Sequence, residues 1–216
     1  MSLGNLLWLV HRAAITAPVR VLHARRRIEY FFFSREAAKR EEEVHSLTKF
    51  VGRAFQSRSP FFTGAGWSRY GAPGYGQGEK FRICWEATVG ITVWLAKEPA
   101  IGMGVEFRGK TLCIRQLQGV AGANLKEMGP WPRTFVSACL AFAKENGLKR
   151  VRLYRADQGL FYRYPDLKPR DGQTYREAVK EHQRRMRRRY DGTARQMRFK
   201  MKRRWGEWAN PNYARL

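Results

Sequence analysis

Residues 101–121 read IGMGVEFRGKTLCIRQLQGVA, and this stretch decides the fold. Ile101–Phe107 and Lys110–Leu117 are rich in the apolar and β-branched residues that favour strands. Only Arg108 and Gly109 separate the two segments, and a connection this short joins neighbouring antiparallel strands. The stretch therefore predicts a β-hairpin.

The chain after this hairpin predicts a helix, a strand and a long last helix. Pro132 suits the first turn of a helix, and Gly147 is placed to end it. Lys149–Arg155 is interpreted as a strand. The last helix is expected over about residues 174–196, with one narrow apolar stripe, and Arg198–Arg204 is expected to form a short strand that pairs with the core.

The chain before the hairpin divides into three segments. In Lys80–Lys97, apolar and polar residues alternate over residues 81–88, which indicates a half-buried strand, and Gly90 marks a bulge or a turn into a second strand. Residues 59–79 hold six glycines and two prolines, which predicts a loop without a helix or a long strand. Residues 1–58 predict a basic helical region.

These elements predict an α/β or α+β fold, with a mostly antiparallel sheet flanked by helices and a helical N-terminal extension. The predicted organisation is a basic helical region over 1–58, a loop rich in glycine and aromatic residues over 59–79, an α/β domain over 80–205 with a basic C-terminal helix, and a tail over 206–216. The aromatic residues of the loop either stack on unpaired bases or fold back onto the domain.

The charge of the chain points to a polyanionic partner. Lys and Arg number 42 against 18 Asp and Glu, for a formal net charge of +24. Residues 172–216 alone hold 14 basic and 4 acidic residues. A surface this positive repels itself and favours nucleic acid, an anionic lipid surface or an acidic protein.

The basic residues of the last helix and of the strand after it form the predicted nucleic-acid-binding surface. Arginine forks bind phosphate oxygens in pairs, and tryptophan stacks on bases. A plain solvated helix face is the alternative to this interpretation. The predicted residues are Arg184, Arg185, Arg187, Arg188, Arg189, Arg195, Lys200, Lys202, Arg203, Arg204 and Trp205.

A second motif lies at the end of the hairpin. Gln116-Leu117-Gln118-Gly119-Val120-Ala121 fits the pattern Q/R-x-x-G-x-G/A and is followed by a helix, a strand and another helix. Over about residues 80–205 the chain thus resembles the GNAT acyltransferases, and it is similar to the VirK group of acyltransferase-like domains. The resemblance implies that Gln116, Gln118, Gly119 and Ala121 bind the pyrophosphate of an acyl-coenzyme A, and that Tyr190 stands near the leaving thiolate.

Glu106 is the candidate general base of such an enzyme, because it lies on a strand among apolar residues that disfavour a charged carboxylate. The alternative is a structural carboxylate that pairs with Arg108 or Lys110. The four histidines stand on helices without an evident serine or cysteine partner, so a nucleophilic triad is not supported.

Cysteine usage and the N-terminus bear on location. Cys84, Cys113 and Cys139 form no CxxC pair and no Cys/His cluster, so we predict no metal site and interpret them as buried thiols of an intracellular, reducing compartment. Residues 1–28 hold five arginines and no acidic residue, as a transit peptide or a membrane-surface helix does.

The sequence therefore predicts a nucleic-acid-binding protein, with RNA as the expected ligand, a ribonucleoprotein component as one form of that role, and no cofactor. The first alternative is an N-acyltransferase that uses a coenzyme A thioester. The second is a peripheral membrane-surface protein anchored through residues 1–33.

Overall fold

The computed structural model describes residues 38–69, 87–120, 122–163, 165, 167, 169–202 and 207–209. The helices are α1 (Glu41–Gln56), α2 (Trp131–Glu145), α3 (Leu160–Arg163), α4 (Tyr175–Arg187) and α5 (Thr193–Gln196), with a 3-10 turn at Ala156–Gln158 and a π-helical turn at Arg188–Gly192 between α4 and α5. The strands are β1 (Phe62–Arg69), β2 (Val89–Leu95), β3 (Glu98–Arg108), β4 (Thr111–Gly119), β5 (Arg150–Tyr154), β6 (Lys200–Lys202) and β7 (Glu207–Ala209).

The described strands form one open, mostly antiparallel sheet in the order β1-β2-β3-β4-β5-β7-β6. Strands β4 and β5 are parallel and are joined through α2, as a parallel connection requires. This confirms the predicted α/β or α+β class.

The predicted hairpin is confirmed as β3 and β4. Arg108 pairs with Thr111, so Gly109 and Lys110 form a two-residue turn. Gly109 has a φ of +55°, in the left-handed region that a tight hairpin turn needs and that glycine enters without strain.

Helices α1 and α2 pack together on one face of this sheet and form the main core. Phe55 of α1 meets Phe135 of α2 edge to face, with ring centroids 4.9 Å apart. Phe142 of α2 contacts Phe50 at 5.8 Å and Phe107 of β3 at 6.2 Å. Helix α1 is therefore part of the domain core and not an extension beside it, which corrects the predicted start of the domain at residue 80.

Helix α2 confirms the predicted start and stop. Pro132 stands in its first turn, and Gly147 follows Asn146 at its end with a φ of +63°. The N–H of Leu148 donates to the carbonyl of Ala143 and that of Gly147 to the carbonyl of Lys144, a pair of bonds that satisfies the last carbonyls of a helix.

Strand β1 corrects the predicted loop over 59–79, because residues 62–69 are a strand paired with β2. A Cβ at Gly66 would stand 2.7 Å from Cη2 of Trp94. The Trp94 ring packs directly against Gly66, so a side chain at this position would clash with the ring. This packing overrides the tendency of glycine to interrupt a strand. Residues 70–79 lie outside the described residues, as do residues 81–86 of the predicted strand.

The end of the chain also differs from the prediction over 198–204. Of the predicted strand, residues 200–202 form β6, which pairs with β7 at the edge of the sheet, with Met201 opposite Trp208. Strand β7 in turn pairs with β5. Within the described residues, β6 is therefore joined to the sheet through β7, and residues 203 and 204 lie outside them.

Candidate nucleic-acid interface

Helix α4 begins with a capping box. Thr174 Oγ1 accepts from the N–H of Glu177, and the Glu177 carboxylate accepts from the N–H of Thr174 at 2.9 Å. The Thr174 hydroxyl also donates to the Glu177 carboxylate, and the bonds to this carboxylate from the Thr174 N–H and hydroxyl hold the pKa of Glu177 below its usual range. The local signal therefore starts a helix directly ahead of a run of arginines that repel one another.

A groove of about 550 Å³ runs along the exposed side of this helix and across the π-helical turn. Most of the lining side chains are basic and exposed. The groove is lined by Lys180, Gln183, Arg184, Arg187, Arg188, Asp191, Gly192 and Arg195. The structure thus brings together four of the arginines that the sequence predicted, and adds Lys180, which lies one helical turn before Arg184.

Within the described part of the chain, Arg184, Arg187 and Arg188 form no ion pair with a carboxylate. Arg185 instead pairs with Glu181 at 3.3 Å, one turn back on the helix and away from the groove. Three exposed guanidinium groups therefore share one groove without an ion-pair partner among the described residues.

Arg189 does not belong to this surface, which corrects the prediction. Its Nη1 donates to the carbonyl of Leu117 in β4 at 3.2 Å, and its Cζ lies 5.3 Å from the ring centroid of Trp131. Burial lowers the pKa of the Arg189 guanidinium from its ordinary value. Arg189 and Tyr190 stand three and four residues after the buried Met186, a spacing that places them on the side of the helix that faces the sheet.

Tyr190 completes this contact with β4. The N–H of Leu117 donates to the Tyr190 hydroxyl at 2.8 Å, and the same hydroxyl lies 3.4 Å from the Leu117 carbonyl. Strand β5 pairs with β4 only as far as Ile114, so no described strand lies beside the backbone groups of Leu117 on that side. Tyr190 and Arg189 satisfy them in its place.

The predicted phosphate loop is a strand over most of its length. Gln116 and Gln118 lie in β4 opposite Gly104 and Gly102, and Gln116 Nε2 donates to Gln118 Oε1 at 2.6 Å. A Cβ at Gly119 would stand 2.5 Å from Cδ1 of Leu125, so a side chain of this chain occupies the space above the glycine. Ala121 lies outside the described residues.

Glu106 is buried on the sheet and ion-paired. Its Oε2 accepts from Arg108 at 2.9 Å and from Arg115 at 3.2 Å. This confirms pairing with Arg108, one of the two partners that the sequence left open, and adds Arg115, which the sequence did not indicate. Burial acts to lower the pKa of Arg108, but the charge and hydrogen bond of Glu106, together with Tyr154 and Cys113, raise it overall.

The sequence missed Arg115 because its pairing depends on the register of β3 against β4. Cys113 lies opposite Glu106, and Arg115 is two residues further along β4, so strand alternation places it on the face that carries Glu106. There its Cζ lies 4.0 Å from the ring centroid of Tyr154. Arg115 is also the extra residue of a bulge, which shifts the alternation only for the later residues of β4.

The remaining predicted residues are placed only in part. Lys200 is exposed at the start of β6, and the backbone of Lys202 ends that strand. Arg203, Arg204 and Trp205 lie outside the described residues, as does the whole N-terminal segment over residues 1–33 that the membrane-surface and targeting interpretations use.

Several broad features bear on other classes of site. Cys113 and Cys139 are buried free thiols, as predicted, and burial raises the pKa of Cys139; Cys84 lies outside the described residues. Among the described residues there is no cluster of His, Cys, Asp or Glu that could hold a metal ion. Within the same residues, no helix is both long and apolar enough to cross a membrane.

Comparison with known proteins adds no family to this description. No protein-family model matches the chain, and no curated protein matches it. The function of the groove is therefore argued from its own geometry and charge.

Proposed function

We propose that this protein binds nucleic acid, with RNA as the expected ligand, through the groove along α4 and the π-helical turn. The observation that carries the proposal is the set of three exposed arginines, Arg184, Arg187 and Arg188, that share the groove without an ion-pair partner among the described residues. A ribonucleoprotein component is one form that this role takes.

The physical basis is the attraction between guanidinium groups and phosphate. Each phosphate that is neutralised releases a condensed counterion, which supplies affinity independently of base sequence. An arginine fork also donates two parallel hydrogen bonds to one phosphate group. The net charge of +24 adds a long-range field that raises the rate of association with a polyanion.

The charge arrangement also favours a ligand over plain solvation. A helix face that is only solvated gains from alternating charges, as Arg185 and Glu181 do here. The groove instead places like charges one turn apart at Lys180, Arg184 and Arg188, which destabilises a free helix by a few tenths of a kcal/mol per pair, roughly. An anion in the groove removes that repulsion.

The test is binding of a labelled single-stranded RNA by fluorescence anisotropy over a range of salt. If about six phosphates of a single strand are neutralised, affinity should fall roughly three-hundredfold between 50 and 200 mM salt. The variant R184Q/R187Q/R188Q should bind at least tenfold more weakly at low salt, with a salt slope reduced by about two. Retained circular dichroism and melting temperature show that the chain is folded.

A matched control removes three positive charges elsewhere. Lys144, Lys149 and Arg150 are exposed and do not line the groove, so K144Q/K149Q/R150Q has the same net charge as the groove variant. We expect it to retain most of the affinity. Equal losses in the two variants would mean that net charge alone drives binding, and a flat salt dependence would reject the proposal.

We keep an acyl-coenzyme A-dependent N-acyltransferase as a second candidate, together with the proposed resemblance to GNAT and VirK-type domains. It is supported by the parting of β4 from β5 beyond Ile114 and by the Tyr190 hydroxyl beside Leu117 in the gap. Glu106 does not add to it, because Oε2 already accepts from two guanidinium groups.

The second candidate has its own test, which is a thermal-shift titration of the full chain with coenzyme A. An acyltransferase should be stabilised by coenzyme A in a concentration-dependent way, because a ligand that binds the folded state raises its melting temperature. Free phosphate at equal ionic strength is the control for a nonspecific anion effect. The absence of a shift would remove this candidate and would leave the nucleic-acid proposal unaffected.

A further inference from the structure

We infer that the groove along α4 binds the sugar-phosphate backbone and leaves the bases outside it, so that its ligand class is nucleic acid of any sequence. This inference rests on the proposed function and names what the same groove recognises. The inference rests on the contacts that are already made by the side chains in or beside the groove that could stack on a base or form a hydrogen bond with it.

The first observation concerns stacking. Proteins that hold unpaired bases place aromatic side chains in the binding groove. None of the described residues that line this groove is aromatic. Tyr162 is close by, but it is only 8% exposed, and Arg187 lies over its ring with Cζ 5.5 Å from the centroid. One face of that ring is therefore already covered by the arginine, and a base has little access to the other.

The second observation concerns hydrogen-bonded readout. Adenine and cytosine are read by side-chain amides and carboxylates. The amide in the groove, Gln183, donates from Nε2 to the carbonyl of Tyr162 at 3.2 Å. The carboxylate in the groove, Asp191, accepts from the N–H of Ala156 at 3.3 Å through Oδ1. Both groups are held by the protein backbone and are not poised to select a base.

The groups left for a ligand are the cations Lys180, Arg184, Arg187 and Arg188. Contacts from such groups to phosphate set the position of a protein on nucleic acid and carry no sequence information. Arginine can also read guanine, so the largest base preference compatible with this lining is a modest one for guanine.

The experiment compares labelled single-stranded DNA of mixed sequence with an abasic strand of the same length, using the full chain at low salt. We expect the two affinities to agree within about threefold, because none of the described lining residues is aromatic and able to stack on a base. A groove that stacked on bases would bind the abasic strand more weakly, by roughly fivefold or more for each base lost. The groove variant R184Q/R187Q/R188Q should weaken both strands at least tenfold. A loss of more than tenfold on the abasic strand would overturn the inference.

A second variant separates this inference from the proposed function. Gln183→Ala should change the affinities for poly(A), poly(C) and poly(U) strands by one common factor, since Gln183 reads no base; a selective loss for one homopolymer would overturn the inference. If the unmodified chain binds both labelled strands but the groove variant weakens neither, the proposed site is wrong. If neither strand binds at all, the proposed function and this inference both fall.

Discussion

Arg188 and Arg189 are neighbours in the chain, yet they serve opposite sides of the same helical segment. Arg188 is exposed in the groove and forms no ion pair with a described carboxylate. Arg189 turns inward, donates to the Leu117 carbonyl and lies against Trp131. One side of the segment is free to bind an anion, and the other holds the segment onto the sheet.

This difference shows that a run of arginines is not a uniform surface. Arg189 and Tyr190 follow the buried Met186 at helical spacing and face the sheet, whereas Arg188 lies in the groove. Tyr190, in the π-helical turn at Arg188–Gly192, is 5% exposed and bonded to β4. The side that faces the sheet should therefore control stability, and the groove side should control binding.

The largest expected loss of stability is at Tyr190, on the side of the segment that faces the sheet. Tyr190→Ala should lower the free energy of unfolding by about 3–5 kcal/mol, because it removes a buried ring and leaves a cavity. Tyr190→Phe should lower it by about 1–3 kcal/mol, because the Leu117 N–H loses its acceptor inside the protein. Urea unfolding measures both values. Wild-type stability in Tyr190→Phe would show that water satisfies Leu117 and that the contact is not structural.

The capping box at Thr174 begins the helix that carries both the groove side and the side facing the sheet, so its loss should affect both. Thr174→Ala should lower the free energy of unfolding by about 1 kcal/mol near neutral pH. The pKa of the Glu177 carboxyl is lower in the folded chain than in the unfolded chain, because Thr174 donates hydrogen bonds to it. The stabilisation from these bonds is therefore fully present above the carboxyl's pKa in the unfolded chain, and it is lost as the pH falls through the carboxyl's pKa in the folded chain. The difference between variant and wild type should therefore narrow in acid, as thermal melts at several pH values would show.

Arg189→Met should change the free energy of unfolding by less than about 1 kcal/mol. The variant loses the bond to the Leu117 carbonyl, but it also removes a charge whose burial is unfavourable, and these effects oppose each other. The nearby Tyr190 hydroxyl remains 3.4 Å from the same carbonyl. Urea unfolding of the variant gives the value, and a loss of several kcal/mol would mean that Arg189 holds this turn on its own.

Arg188→Gln should have the smallest effect on stability, within about 0.5 kcal/mol of wild type, because the side chain is exposed and its removal empties no packed space. The same variant should weaken nucleic-acid binding, which Arg189→Met should not. Parallel anisotropy and unfolding measurements on the two variants compare the two sides directly. A reversal of this pattern would move the binding surface to the side that faces the sheet.

Elements with local signals were predicted well. The β3–β4 hairpin follows from two apolar segments around Arg108 and Gly109, and α2 follows from Pro132 and Gly147, because turn and cap chemistry acts within a few residues. Much of the groove was predictable in the same way. Arg184 and Arg188 stand four residues apart, so any helix brings them to one face.

Elements that depend on distant residues were predicted poorly. Strand β1 was missed because Gly66 was interpreted as a strand breaker, whereas the Trp94 ring beside it leaves room for no larger residue. The phosphate-loop motif at Gln116 matched a pattern, but pairing with β3 makes it a strand. Arg115 pairs with Glu106 because the register of the hairpin sets Cys113 opposite Glu106, and that register is fixed by pairing between the two strands.

The sequence by itself determined the fold class, the excess of positive charge, the hairpin and the helix bounded by Pro132 and Gly147. These properties depend on composition and on interactions between residues close in the chain. The tertiary structure decided which groups Arg189 contacts, which guanidinium groups pair with Glu106, and that residues 62–69 form strand β1 beside β2. Each of those depends on which distant groups need a partner or leave space, because a buried polar group or a packed ring is satisfied only once the sheet and helices have come together.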